Sequence, residues 1–327
     1  MEYERLMARP FVPLVSNPHL LTILGNYWPR PRDERRFPVW DRWYETEPGI
    51  RVLVREQRPT GEPKGALVLV HGLESSSEAG YMVSMAHAAL RRGYEVHRMN
   101  LRGCGASRGV CRALYHAGLT ADVRHVVERI QGRAPLWAIG YSLGGNVVLK
   151  LAGELGGAAA GLVRGVIAVS APIDLAACVR AMERPENRIY DWRFVRRMVR
   201  RVAGNGAAGL RGIRSVREFD DRVTAPQFGF QGAWEYYQTQ SAVHLLESIR
   251  VPALIVSAED DPLVPASIFR KASMEANPRL ELRLIPHGGH LGFIARRRPR
   301  FWLDEFLLEW IEGQGNTPAQ ESVFTQE

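Results

Sequence analysis

The sequence predicts an α/β fold: a mostly parallel central sheet flanked by helices and interrupted by a helical cap insertion. Three observations carry that expectation. Runs such as Ala66–Val70, Val166–Val169 and Ala253–Ser257 are apolar almost throughout instead of alternating, as strands covered on both faces are. Stretches with helical spacing separate them. The alternation then stops over residues 172–250, where helical patterns and Arg-rich runs occur without a convincing strand, and afterwards resumes. An interruption of about eighty residues exceeds an ordinary loop and reads as a cap on a core domain.

In chain order, residues 1–40 form a proline-rich, irregular arm whose Phe11, Leu20, Leu21, Ile23, Tyr27 and Trp28 suggest packing on a body. The first part of the core spans 41–171. Asp41–Glu47 and Ile50–Gln57 flank Pro48-Gly49 as a hairpin. Strand Ala66–Val70 ends at His71-Gly72, and helix Tyr81–Leu90 stops at Gly93. Strand Glu95–Asn100 precedes helix Leu119–Ile130, whose Val123, Val126, Val127 and Ile130 share one face. Strand Leu136–Tyr141, helix Leu143–Leu155 and strand Val166–Ser170 complete this part. The cap takes 172–250. The second core part, 251–313, holds strand Ala253–Ser257, a helix near Ala266–Ala276, strand Leu280–Ile285 and a helix around Pro299–Glu312. Residues 314–327 read as a polar tail.

Composition narrows the function classes. With 327 residues, 46% hydrophobic and 24% charged, the chain is ordinary globular material and not a disordered one. No apolar run approaches the roughly 18–20 residues of a membrane span. The N-terminus, with Glu2, Glu4 and Pro10, does not read as a signal peptide. Cys104, Cys111 and Cys178 show neither disulfide nor zinc spacing, so a reducing, cytoplasmic setting is expected, with no metal and no cofactor.

The chemistry gathers at strand ends. Gly140-Tyr141-Ser142-Leu143-Gly144 matches G-x-S-x-G between a strand and an amphipathic helix. That sharp turn exposes a serine Oγ, and glycines are needed where strand and helix backbones crowd it. The helix N-terminus beside Ser142 favours developing negative charge. A serine nucleophile needs a base, and the base an orienting carboxylate. After strand Ala253–Ser257 come Glu259, Asp260 and Asp261; Asp261 is preferred as the start of the turn D-x-x-V-P, with Asp260 as the alternative and one of the two left to shape the turn. His290 is the expected base, because Gly288-Gly289 lets its loop fold back over the sheet edge; His287 is expected to pack or hydrogen-bond locally. An oxyanion needs two donors: the N–H groups of Leu143 and of Leu73, after His71-Gly72, which His71 is expected to shape.

These motifs, with Asn100–Gly105, Leu114–Thr120, Gly140–Asn146, Phe219–Pro226, Tyr236-Tyr237, His287–Phe293 and Pro18–Thr22, resemble the YheT-like branch of the α/β-hydrolase superfamily. That branch is similar to mammalian α/β-hydrolase-domain lipases and yeast medium-chain ethyl-ester synthase/esterases. The resemblance covers about residues 11 to 310. It implies the α/β-hydrolase fold, a Ser142–Asp261–His290 triad and a carboxylic-ester hydrolase acting on small acyl esters. An alcohol O-acyltransferase making medium-chain esters, or a non-catalytic binding protein on a hydrolase fold, are the rival readings.

Charge is the remaining feature. Forty Arg and three Lys face 35 Asp+Glu, for a net +8, and residues 180–222 alone hold twelve Arg against six Asp+Glu. On Asp191–Val202, Trp192, Val195, Val199 and Val202 are read as the packing face, with Arg193, Arg196, Arg197, Arg200 and Arg201 off it. The cap surface is then merely solvated, in peripheral contact with an anionic membrane, or placed to steer an acidic ester. Nucleic acid is not expected, because no aromatic-basic interleaving accompanies the charge.

Overall fold

The structure is a computed structural model; it describes residues 10–111, 113–131, 134–203, 210–270, 274 and 276–315. Eight strands form one sheet: β1 (Trp40–Glu47), β2 (Ile50–Gln57), β3 (Gly65–Val70), β4 (Tyr94–Met99), β5 (Leu136–Tyr141), β6 (Gly165–Val169), β7 (Ala253–Ala258) and β8 (Leu280–Ile285). Their order is β1-β2-β4-β3-β5-β6-β7-β8. The β1–β2 hairpin pairs antiparallel, and β2 pairs antiparallel with β4; every later pairing is parallel. The expected mostly parallel sheet is therefore present, with an antiparallel hairpin at one edge.

The apolar strands are buried on both faces. Pleating sends Ala66, Val68 and Val70 of β3 into one core and Leu67 and Leu69 into the other. β5 divides likewise, with Leu136 and Ala138 on one side and Trp137, Ile139 and Tyr141 on the other. The covering helices are α1 (Pro18–Tyr27), α2 (Gly80–Arg91), α3 (Ala121–Ile130), α4 (Leu143–Leu155) and, beyond the insertion, α8 (Trp302–Gly315). In α3 the four expected residues, Val123, Val126, Val127 and Ile130, are buried. Between β6 and β7 lie α5 (Leu175–Met182), α6 (Arg188–Val202), a short turn Val216–Phe219 running into a π-helical turn Asp220–Thr224, and α7 (Ala233–Gln240).

Four expectations change. The arm is not irregular throughout, since α1 forms within it, started by Pro18 and by the Asn17 side chain accepting from the Leu20 N–H. Near Ala266–Ala276 the structure shows a 3₁₀ turn over Ala266–Phe269, and part of the expected helix lies outside the described residues. On α6, Trp192 faces solvent, while Val195, Met198 and Val202 are the buried apolar residues. The helical wheel separates the two readings: Met198 lies about 40° beyond Val202 on the side away from Val195, whereas Trp192 lies about 90° from the centre of the face these three share. Of the tail expected over 314–327, residues 314 and 315 belong to α8, and the rest lies outside the described residues. Among the described residues no helix is long and apolar enough to cross a membrane.

Candidate active site

β5 ends in a turn that only a particular sequence tolerates. Ser142 sits at φ 51°, ψ −122°, a left-handed conformation that costs a non-glycine residue of order 1–3 kcal/mol. The turn is pinned by Ser142 N–H donating to Val169 O at 2.8 Å and by Ser142 O accepting from Gly145 N–H at 2.8 Å. A Cβ on Gly140 would strike the Gly144 backbone, and one on Gly144 would strike the Val70 carbonyl. The G-x-S-x-G glycines are therefore spacing elements between β5, α4 and β3.

His290 and Asp261 reach this turn from the ends of β8 and β7. His290 Nε2 lies 2.9 Å from Ser142 Oγ. Its Nδ1 lies 2.9 Å from Asp261 Oδ2 and 3.2 Å from Oδ1. Asp261 Oδ1 also accepts the N–H groups of Leu263 and Val264 at 2.9 and 3.0 Å, which fixes the carboxylate inside its own turn. Asp260 points elsewhere. It accepts from Gly289 N–H at 2.9 Å and lies 3.2 Å from His287 Nδ1, so it braces the loop that carries His290. Of the two adjacent carboxylates, Asp261 is the one in contact with His290. His287 makes the local contact expected of it.

The loop after β3 passes close beside the serine. A Cβ on Gly72 would stand 3.0 Å from Ser142 Cβ, so a bare backbone is needed there. Gly72 N–H donates to Tyr81 OH at 3.1 Å. His71 is fully buried; its Nδ1 meets Gly72 O at 2.7 Å and its Nε2 accepts from Leu101 N–H at 3.1 Å. Burial pushes its pKa down to about 4, partly offset by the Gly72 hydrogen bond, so the ring stays neutral and donates from Nδ1. Its two hydrogen bonds tie the loop after β3 to Leu101. Leu73 and Leu143 line the same cavity as Ser142.

That cavity encloses about 760 Å³, its open mouth included, between the strand ends and the insertion. Its walls are mainly apolar: Leu175, Val179 and Met182 of α5, Phe194 and Met198 of α6, and Leu263 and Val264. Asp220 adds a polar patch. Tyr237 OH and Thr224 Oγ1 each donate to its carboxylate at 2.7 Å. Burial raises its pKa to about 6 against those two hydrogen bonds. Arg201, expected among the off-face arginines of the cap, is instead only 7% exposed, paired with Glu74 at 2.8 Å and part of the cavity wall.

Further residues hold the site without touching its centre. Asn146 is fully buried; its amide donates to Ala117 O and Gln240 O and accepts from Ala242 N–H, tying α4 to the insertion. Thr22 Oγ1 accepts the His290 N–H at 2.9 Å and donates to Pro18 O at 2.7 Å. The arm helix lies so close to this loop that a Cβ on Gly25 would come within 2.6 Å of Gly292 Cα. Asn146, Asp220 and Thr22 sit inside the recurrent motifs of the sequence, but only the fold shows what each holds. Among the described residues no cluster of His, Cys, Asp or Glu could hold a metal.

Comparison with known proteins matches this frame. Residues 67–303 fit the model of the alpha/beta hydrolase family. The Escherichia coli strain K12 protein YheT is 32% identical over 320 residues, 92% of each chain. The monoacylglycerol lipase of Saccharomyces cerevisiae is 28% identical over 77% of this chain and 60% of its own. Among solved structures, the Pyrococcus furiosus esterase Pf2001 superimposes with a TM-score of 0.57 at 18% identity, over 86% of this chain and 98% of that one, a likeness of fold. An eight-stranded sheet with these strand-end loops, and a relative of this identity along nearly the whole length, make the chain an esterase/lipase-like member of the alpha/beta hydrolase family, in its YheT-like branch.

Proposed function

We propose that the protein is a serine carboxylic-ester hydrolase working through an acyl-enzyme on Ser142. One observation carries the reading: the unbroken run of contacts from the Asp261 carboxylate through His290 to Ser142 Oγ, each at 2.9 Å. A carboxylate only accepts, so the His290 proton sits on Nδ1 and leaves the Nε2 lone pair facing the serine hydroxyl. Ser142 Oγ attacks the ester carbonyl as Nε2 takes its proton. Asp261 stabilises the imidazolium that forms. The amides of Leu143 and Leu73 hold the oxyanion, aided by the N-terminus of α4. His290 returns the proton to the leaving alcohol, and water activated by the same nitrogen releases the acid. No metal or cofactor enters the scheme. The apolar wall of α5 and α6 suits an acyl chain, and the lipase name of the yeast relative points to the same class of ester.

The three cysteines are buried and free, which supports a reducing, cytoplasmic setting. A fluorophosphonate probe tests the nucleophile directly. The native chain is labelled at Ser142, while Ser142→Ala takes no label and loses hydrolysis of short nitrophenyl esters. Undiminished turnover by Ser142→Ala would sink the assignment.

A further inference from the structure

α6 has two apolar faces, and the cavity uses only one. Val195, Met198 and Val202 turn inward. Ile189 and Trp192, with Arg196 one turn on, face the solvent; Ile189 is 68% and Trp192 54% exposed. The arm helix α1 carries a matching stripe, Leu20, Ile23 and Tyr27, with Tyr27 65% exposed. The two helices meet. His19 Nδ1 lies 3.0 Å from Tyr190 OH, with the rings stacked at 5.7 Å, and the Arg193 guanidinium covers the Tyr27 ring at 5.4 Å. Single exposed apolar residues need no explanation, but five gathered on two touching helices do.

We propose that this α1–α6 face docks on an anionic lipid surface, its apolar stripes entering the interface while Arg188, Arg193 and Arg196 meet lipid phosphates. Charge selects the occupant. The solvent side of α6 carries arginines and no acid, since its one carboxylate, Asp191, is buried and accepts from Val216 N–H. Long arginine stems beside Trp and Tyr suit the boundary between headgroups and acyl chains. A second copy fits less well, because a two-fold contact would set the same arginine stripe against itself. The inner faces of both helices belong to the site: α1 holds His290 through Thr22, and α6 walls the cavity with Phe194 and Met198. Docking would thus bring the cavity to the membrane; that consequence rests on the esterase reading, whereas docking itself does not.

Flotation of the full chain with phosphatidylcholine vesicles, with and without about 30 mol% phosphatidylglycerol, tests the proposal. The native protein floats with the anionic vesicles at low salt and stays behind with the neutral ones, and high salt weakens the association. Ile189→Ser/Trp192→Ser and, on the other helix, Leu20→Ser/Ile23→Ser each lower the floated fraction about tenfold. Arg193→Gln/Arg196→Gln removes the preference for anionic vesicles. All three hydrolyse a water-soluble short ester at the native rate, which shows that they fold. Ser142→Ala floats like the native chain, so a failed catalytic assignment would leave this result standing. Failure of the native protein to float, equal flotation of the serine variants, or a dimer that those variants split into monomers would each overturn the proposal.

Discussion

The strand-end loops and the helical insertion build opposite walls of one cavity by different means. At the loops the backbone does the positioning. Ser142 is strained and pinned to β6, the glycines at 140 and 144 leave no room for a Cβ, and Asp261 is anchored by two amides. In the insertion, side chains do the work: α5 and α6 present Leu175, Val179, Phe194 and Met198 to the space, and a buried polar cluster sits around Asp220. A backbone frame fixes one geometry and tolerates little. A side-chain wall can change its shape at modest cost. Under the proposed function, the first region would set the reaction type and the second the choice of ester.

The sharpest way to break that division is to exchange neighbours within the frame. Asp261→Asn keeps the volume but cannot hold His290 in the tautomer that leaves Nε2 free, so kcat falls about 10⁴-fold. Asp260→Asn, one residue away, loses only a brace to Gly289 and His287 and costs less than about tenfold. Steady-state kinetics on one soluble ester compares the two; equal losses would remove the distinction between them.

The insertion has its own buried charge, and pH reads it. Asp220 is held near pKa 6 by burial, above its ordinary 3.8. The folded chain thus keeps a proton that the unfolded chain gives up, and stability falls as pH rises between about 4 and 6. Asp220→Asn cannot ionise. Relative to that variant, the native chain loses up to about 3 kcal/mol from pH 4 to pH 7. Urea unfolding of both proteins across this range checks it; parallel profiles would mean that Asp220 stays ionised throughout.

Much of the frame is legible in the sequence because its constraints are local. Ala66–Val70 reads as a doubly covered strand since every side chain is apolar, and Gly140 of G-x-S-x-G is forced by the Gly144 backbone four residues on, although Gly144 itself answers to the distant Val70 carbonyl. Asp261 and His290 follow strands directly. The choice between Asp260 and Asp261 needed the fold, because both share the same turn and differ only in where they point. What escaped the sequence depends on distant partners. Arg201 looked like one more surface arginine because its partner, Glu74, is 127 residues away. Trp192 looked like a core residue because a helical wheel does not say which of two apolar faces is covered. The helix in the arm was hidden among prolines, although Asn17 and Pro18 are its start signal.

Thr22 joins the arm to the frame and tests how far positioning extends. Thr22→Val keeps the shape but leaves the His290 N–H without its acceptor at 2.9 Å. The loop loosens, and kcat drops about tenfold with KM nearly unchanged, since the cavity wall is untouched. Thr22→Ser restores the acceptor and most of the rate. A Val variant with native kcat would confine the frame to the strand ends.

The smallest effect belongs to the wall, and its size is the point. Val179 of α5 lines the cavity and is almost fully buried. Val179→Ile adds one methylene to that wall, so the longest acyl chain that fits loses room for about one carbon. One buried methylene is worth about 0.8 kcal/mol, or roughly fourfold in kcat/KM. A series of nitrophenyl esters of rising chain length should show that loss at the long end, with the short esters unchanged. A uniform loss across the series would instead mean that α5 helps hold Ser142 or His290, and the division between frame and wall would fail at that point.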